Sequence, residues 1–247
     1  ARCFRDEDLR ADRQPEFTQA DMELSFVDIE DVIDVNERLL KHIFKEAIGV
    51  DVPVPFPRMP YQEAMDRYGS DKPDTRFGME IFDLTDEVKN CEFSVFTSAI
   101  SGGGSVRGIT AKNAVNVYTR KEVDKLTEFV KGIGAKGLAW IRLTDDGIAS
   151  SFAKFMTEDE MNAILKKAGA EKGDVVFIIA DTKNSAVLST LGSLRNEAAK
   201  KLDIIGDGFN LLWIVEFPFF DWDDETQQFV AMHHPFTSPL PECLPYL

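Results

Sequence analysis

The pattern of hydrophobic and polar positions changes period along the chain, and each period predicts an element. From Phe17 the residues alternate by twos, with Phe17, Gln19, Asp21, Glu23 and Ser25 on one face of a strand and Thr18, Ala20, Met22, Leu24 and Phe26 on the other. A soluble sheet ordinarily turns an apolar face to the core and a polar face to water. Here the polar face mixes an aromatic, an amide and two carboxylates, and a preceding strand adds Arg5 and Glu7 at the same alternation. Residues 1–26 therefore read as a two-stranded hairpin. Its polar face suits the floor of a site for a ligand with phosphate and ammonium groups, or else is an ordinary charged outer face. The period then lengthens to that of a helix, with a stripe of Val32, Val35, Leu39, Ile43, Phe44 and Ala47, a cap at Asp28 or Asp31 and an end at Gly49. The proline-rich stretch VDVPVPFPRMP predicts an extended connector, followed by a short helix from Tyr61 to Tyr68 stopped by Gly69.

From Phe77 to Ile205 strands and helices alternate with their own start signals. Thr119-x-x-Glu122 and Thr157-x-x-Glu160 read as capping boxes opening two amphipathic helices, and Leu138–Leu143 and Val175–Ala180 as short buried strands. This stretch can make its own core, which predicts an inserted α+β domain over 77–206. Leu211 to Phe220 then predicts an apolar strand, Asp221 to Thr226 an acidic turn, and Gln227 to His234 a returning strand that rejoins the sheet of the first hairpin. The predicted class is α+β, with a mainly antiparallel sheet and helices packed on it. Residues 1–76 and 207–247 form one part and 77–206 the insertion.

With 247 residues, 44% of them hydrophobic and 29% charged, the chain has ample material for a packed core. No apolar run approaches a membrane span, and the charged N-terminus does not read as a signal peptide. The net charge of −15 argues against a broad non-specific nucleic-acid surface, so any contact with RNA is expected to be local. Cys3, Cys91 and Cys243 are widely separated and lack CxxC spacing, which fits reduced thiols in a cytoplasmic protein. Ser101-Gly102-Gly103-Gly104-Ser105 lacks the Lys-Ser/Thr of a phosphate loop and reads as a flexible turn. His42 reads as a surface or packed helix residue.

The order Phe4-Arg5-Asp6-Glu7, a loop from Asp8 to Pro15, then Glu16-Phe17-Thr18-Gln19 and Asp21-x-Glu23 resembles the second signature motif of class II aminoacyl-tRNA synthetases. The spelling FRDEDLRADRQPEFTQ is similar to the bacterial aspartyl branch of that family. YQEAMDRYGSDKPD (61–74) and AMHHPFTSP (231–239) agree with it. The segment 77–206 is similar to the GAD-type domain that this branch shares with the B subunit of the tRNA-dependent amidotransferase. The resemblance spans the chain. The family's anticodon-binding barrel and its first and third motifs are not spelled here, so the expectation is an internal fragment, inactive alone, of a homodimeric enzyme using ATP, Mg2+, L-aspartate and tRNA(Asp). A relative that also charges asparagine tRNA, or an inert docking or tRNA-contact module, are the competing readings.

The resemblance implies roles residue by residue. Arg5 is the catalytic candidate, gripping the α-phosphate and the aspartate carboxylate, because a guanidinium holds oxygens in a fixed fork; pairing with Glu7 or Glu23 is its ordinary alternative. Asp6, Glu7, Gln14 and Phe17 join Arg5 as ATP contacts, with Glu7 reading the adenine amino group and Phe17 offering the ring a flat face. Gln19 and Asp21 are expected on the substrate aspartate, with His233 closing over it. Glu23 is the one magnesium candidate, beside a solvated alternative. Arg10 and Arg13 in the loop are expected at the tRNA acceptor end. Adjacent His233 and His234 point to opposite faces of a strand, so only one serves a given site.

Overall fold

The computed structural model describes residues 1–6, 13–223, 226–232 and 241–246. The chain divides into two compact units, Ala1–Phe56 and Pro57–Leu247.

In the first unit, β1 (Arg2–Phe4) pairs antiparallel with β2 (Glu16–Thr18), Cys3 standing opposite Phe17. The long strand expected from Phe17 to Phe26 is not formed. The ladder closes with Gln19 N–H donating to Ala1 O at 2.8 Å, and residues 20–26 have no strand beside them among the described residues. Helix α1 (Ile29–Ile48) starts at Asp28, whose side chain accepts from Glu30 and Asp31 N–H while Asp31 returns the bond to the Asp28 backbone. It ends on Gly49 at φ +72°, a left-handed conformation that suits glycine. Its inward row differs from the expected stripe. Ile33 and Glu37 are buried, with Leu40 and Phe44 half-buried on the same side, whereas Val32 and Ile43 are exposed. A polar residue completes the row because the Glu37 carboxylate accepts the Phe56 N–H at 3.1 Å, satisfying a group that would otherwise be costly to bury.

The second unit opens with β3 (Arg58–Pro60) and α2 (Tyr61–Tyr68), capped by Gly69 at φ +66°. Then follow β4 (Phe82–Asp83), α3 (Thr85–Val88), α4 (Ser94–Ser101), β5 (Ser105–Ala111), α5 (Arg120–Gly132), β6 (Ala139–Thr144), β7 (Gly147–Ser150), α6 (Glu158–Lys167), β8 (Val175–Asp181) and α7 (Asn184–Leu202). These strands form one antiparallel sheet in the order β4-β5-β8-β6-β7. Central strand β8 reads as an unbroken apolar run because both faces of the sheet are covered. Val175, Phe177 and Ile179 face α5 and α7, and Val176 and Ile178 face α3, α4 and α6.

Of the two expected capping boxes one is made. Thr157 accepts from Glu160 N–H and Glu160 accepts from Thr157 N–H. Thr119 makes no such bond, because Glu122 is drawn instead to Lys125, at 2.7 Å, and to Lys201. These two ammonium groups pull the Glu122 carboxyl down to about 2. The glycine run is a tight reversal between α4 and β5. A side chain on Gly104 would stand 1.9 Å from Asp181 O, so backbone proximity demands glycine there.

The apolar segment 211–220 is also shorter than expected. Strand β9 (Trp213–Val215) stops at Glu216, which adopts φ +57°, and Pro218 has no N–H for a ladder. It runs parallel to β3, Arg58 opposite Trp213 and Pro60 opposite Val215, the one parallel pairing among the described residues. Hairpin β10 (Phe220–Asp223) and β11 (Gln228–Ala231) takes in part of the acidic run read as a turn. Each hairpin, N-terminal and C-terminal, is a two-stranded sheet of its own among the described residues, so the expected single sheet is not formed. Among those residues no helix is long and apolar enough to cross a membrane.

Candidate functional site

The N-terminal hairpin gathers part of the expected constellation. Because Cys3 opposes Phe17, positions 3 and 5 share a face with 17 and 19. Arg5 lies one residue past β1, tied by its N–H to Pro15 O at 2.9 Å. Its guanidinium sits over the Phe17 ring, 5.2 Å from the centroid. A cation over an aromatic face is attracted by the ring quadrupole, and a flat ring of this kind has a second face on which a purine can stack. Gln19, half-buried, accepts the Cys3 thiol at 3.1 Å. Arg5, Phe17 and Gln19 are thus brought together on one surface, with Cys3 between them. The opposite face holds the Arg2–Glu16 ion pair, and Arg2 also lies 5.3 Å from the centre of the Phe4 ring.

The remaining candidates fall differently. Asp21 and Glu23 are exposed and follow the end of β2, so strand alternation does not place them beside Gln19. The physical reason is the absence of a partner strand: alternation fixes facing only where a ladder fixes the backbone. Asp6, Arg13 and Gln14 are exposed at the loop margins. Glu7, Arg10 and His233 lie outside the described residues. Among the described residues no group of three or more carboxylate, histidine or cysteine side chains is gathered as metal ligands would be, around Glu23 or elsewhere. Cys3 was missed as a neighbour of the site, although counting back by twos from Arg5 reaches it.

The larger unit has a cavity of about 510 Å³ between α4 and the adjoining ends of β6 and β8. Phe93, Phe96, Leu138 and Ile178 line it, with the Lys136–Asp181 ion pair, 2.9 Å, among its residues. None of the expected site residues borders it.

The sequence comparisons agree with the hairpin's motif. The family model described as tRNA synthetases class II (D, K and N) matches residues 1–244. The aspartate–tRNA ligase of Agathobacter rectalis is 60% identical over 98% of this chain, and that of Ruminiclostridium cellulolyticum 59% identical over all of it. A Lachnoclostridium phytofermentans protein named aspartate–tRNA(Asp/Asn) ligase is 56% identical, again over the whole chain. The chain spans about two fifths of the length of these curated relatives, 40%, 42% and 41% respectively. It belongs to the class II tRNA synthetases of the D, K and N group.

Proposed function

We propose that this chain is part of an aspartate–tRNA ligase, supplying the hairpin that holds ATP and aspartate during amino-acid activation. The observation that carries the reading is the Arg5 guanidinium over Phe17, on a face shared with Gln19, in a chain about three fifths identical to two proteins of that name. Activation is the attack of the aspartate carboxylate on the α-phosphorus of ATP, forming aspartyl-adenylate and releasing pyrophosphate. Two anions must meet, so the barrier responds to fixed positive charge more than to a proton carrier. Arg5 neutralises the approaching oxygens and orients them in its fork, and Phe17 stacks the adenine while Gln14, Asp6 and Glu7 hold the nucleotide's edges. Gln19, Asp21 and His233 bind the aspartate. Glu23 is the residue of this chain that would help hold Mg2+, which would supply further charge neutralisation when bound. In the second step a ribose hydroxyl of the tRNA's last nucleotide attacks the activated carbonyl and AMP leaves, with Arg10 and Arg13 at the acceptor end.

Residues 77–206 are assigned to an inserted GAD-type domain, and the intact enzyme is assigned to a cytoplasmic homodimer. The test is aspartate-dependent ATP–pyrophosphate exchange in the full-length enzyme. Arg5→Lys keeps the charge but loses the fork, and should raise the barrier by about 3 kcal/mol, roughly a hundredfold in rate. Exchange within a factor of three of the wild type refutes the assignment. The relative named for both tRNAs favours a second reading, charging of asparagine tRNA as well. Charging assays with the two purified tRNAs separate the alternatives.

A further inference from the structure

Residues 69–78, Gly-Ser-Asp-Lys-Pro-Asp-Thr-Arg-Phe-Gly, have the composition of a loose link between α2 and the five-stranded sheet. The structure clamps them. Arg195, in the middle of α7, is only 1% exposed. Its guanidinium lies between two rings, 3.9 Å from the centroid of Phe77 and 4.8 Å from that of Tyr68. Nη2 donates to the carbonyls of Asp74 (2.8 Å), Phe77 (3.0 Å) and Gly78 (3.0 Å), and Nε to that of Met79 (3.2 Å). Met79 itself holds φ +65°, a left-handed turn that a methionine rarely adopts unless its surroundings fix it.

Three further features brace the same joint. At the end of α2 the backbone passes so close to α7 that a side chain on Gly192 would stand 2.4 Å from Gly69 O. On the sheet side Arg107 of β5, 15% exposed, pairs with Asp66 of α2 at 3.0 Å and Asp83 of β4 at 3.2 Å. Arg67 forks onto Glu80 at 2.9 and 2.7 Å, and its carbonyl accepts the Ile81 N–H at 2.8 Å. A planar fork with five donors can satisfy several carbonyls and stack on rings at once, which an ammonium cannot.

We propose that Arg195 is the pin of a rigid joint: α2, the 69–79 connector and the five-stranded domain move as one body, with no hinge in the connector. The domain therefore carries β3 with it, and through the β3–β9 pairing both ends of the excursion stay in register.

Limited trypsin digestion of the full-length protein, with cleaved bonds identified by mass, tests this without any substrate. Within the connector the Arg76–Phe77 bond is the open choice, since Lys72 precedes proline. In the wild type it should resist cleavage as well as Arg142–Leu143 within β6 does. In Arg195→Met, cleavage at Arg76 should accelerate at least tenfold while Arg142–Leu143 stays resistant. Arg195→Lys, which keeps the charge, should fall between. Rapid cleavage at Arg76 in the wild type, or unchanged cleavage in both variants, overturns the joint. Simultaneous release of both bonds in both variants also overturns it, because Arg195 is then a general prop of the core.

Discussion

Asp174, at the entrance to β8, holds the sheet's connections in place through a nearly sealed carboxylate whose side chain is 3% exposed. One oxygen accepts the Asn113 N–H at 2.8 Å. The other accepts the Glu171 N–H at 2.9 Å and the Lys112 ammonium at 2.8 Å. The end of β5 is thereby sewn to the turn that follows α6. Replacing Asp174 by alanine leaves two backbone donors without acceptors, at about 1–3 kcal/mol each. The lost pair with Lys112, which is 54% exposed, adds no more than about 1 kcal/mol after screening. Allowing for water reaching one donor, the expected loss is about 3 kcal/mol, and about 2 kcal/mol for Asp174→Asn, which keeps one acceptor oxygen. Burial tends to raise this carboxyl, but the Lys112 bond and the two backbone N–H groups outweigh it and hold it below the ordinary carboxylate range. Its contribution is therefore complete above the unfolded value of about 3.9 and fades as pH falls through the lower folded value. Urea denaturation followed by circular dichroism should show the gap between wild type and Asp174→Asn narrowing below about pH 4. A loss under about 1 kcal/mol for the alanine variant refutes the reasoning, and so does a gap that stays constant into acid.

Gly192→Ala should lower the melting temperature even though alanine gains about 1 kcal/mol of helix propensity, because the new methyl meets the Gly69 backbone at 2.4 Å. A rise in thermal melting would show that α2 and α7 separate freely. Thr157→Ala should cost about 1 kcal/mol by removing a made cap, and Thr119→Ala less than about half of that, since Thr119 caps with its backbone alone; equal urea midpoints would contradict the contrast. With Arg10 and Arg13 both changed to alanine in the full-length enzyme, tRNA charging should fall at least tenfold while pyrophosphate exchange survives. Equal loss of both steps rejects their assignment to the acceptor end.

Elements with strong local signals were legible. The cap at Asp28, the stop at Gly49, the helix from Tyr61 to Tyr68 and the apolar strand before Asp181 follow from propensity, capping and run length. What propensity cannot carry is competition between partners. Thr119-x-x-Glu122 spells a capping box as well as Thr157-x-x-Glu160 does, yet Lys201, 79 residues away, outbids the Thr119 backbone for the carboxylate. The inward row of α1 is rotated from its apolar stripe for the same kind of reason. Glu37 is buried to meet the Phe56 N–H, a donor that no helical period reveals. Gly69 reads as a helix stop, and only the packing shows that it and Gly192 are the two halves of one contact.

The candidate site obeys the same division. Arg5 and Phe17 meet because a ladder of known register stands between them, and a ladder turns alternation in sequence into a shared face in space. Asp21 and Glu23 continue the alternation just as well on paper, but beyond Gln19 no strand pairs with theirs among the described residues, and alternation without pairing carries no direction. Their assignment to aspartate and magnesium therefore rests on the family's motif, whereas that of Arg5 and Phe17 rests on motif and geometry together. A ladder continued past Gln19 in the same register would bring Asp21 onto the same side as Gln19. A structure of the full-length enzyme in which Asp21 stands on the other side of that ladder would separate it from Arg5 and remove it from the aspartate site.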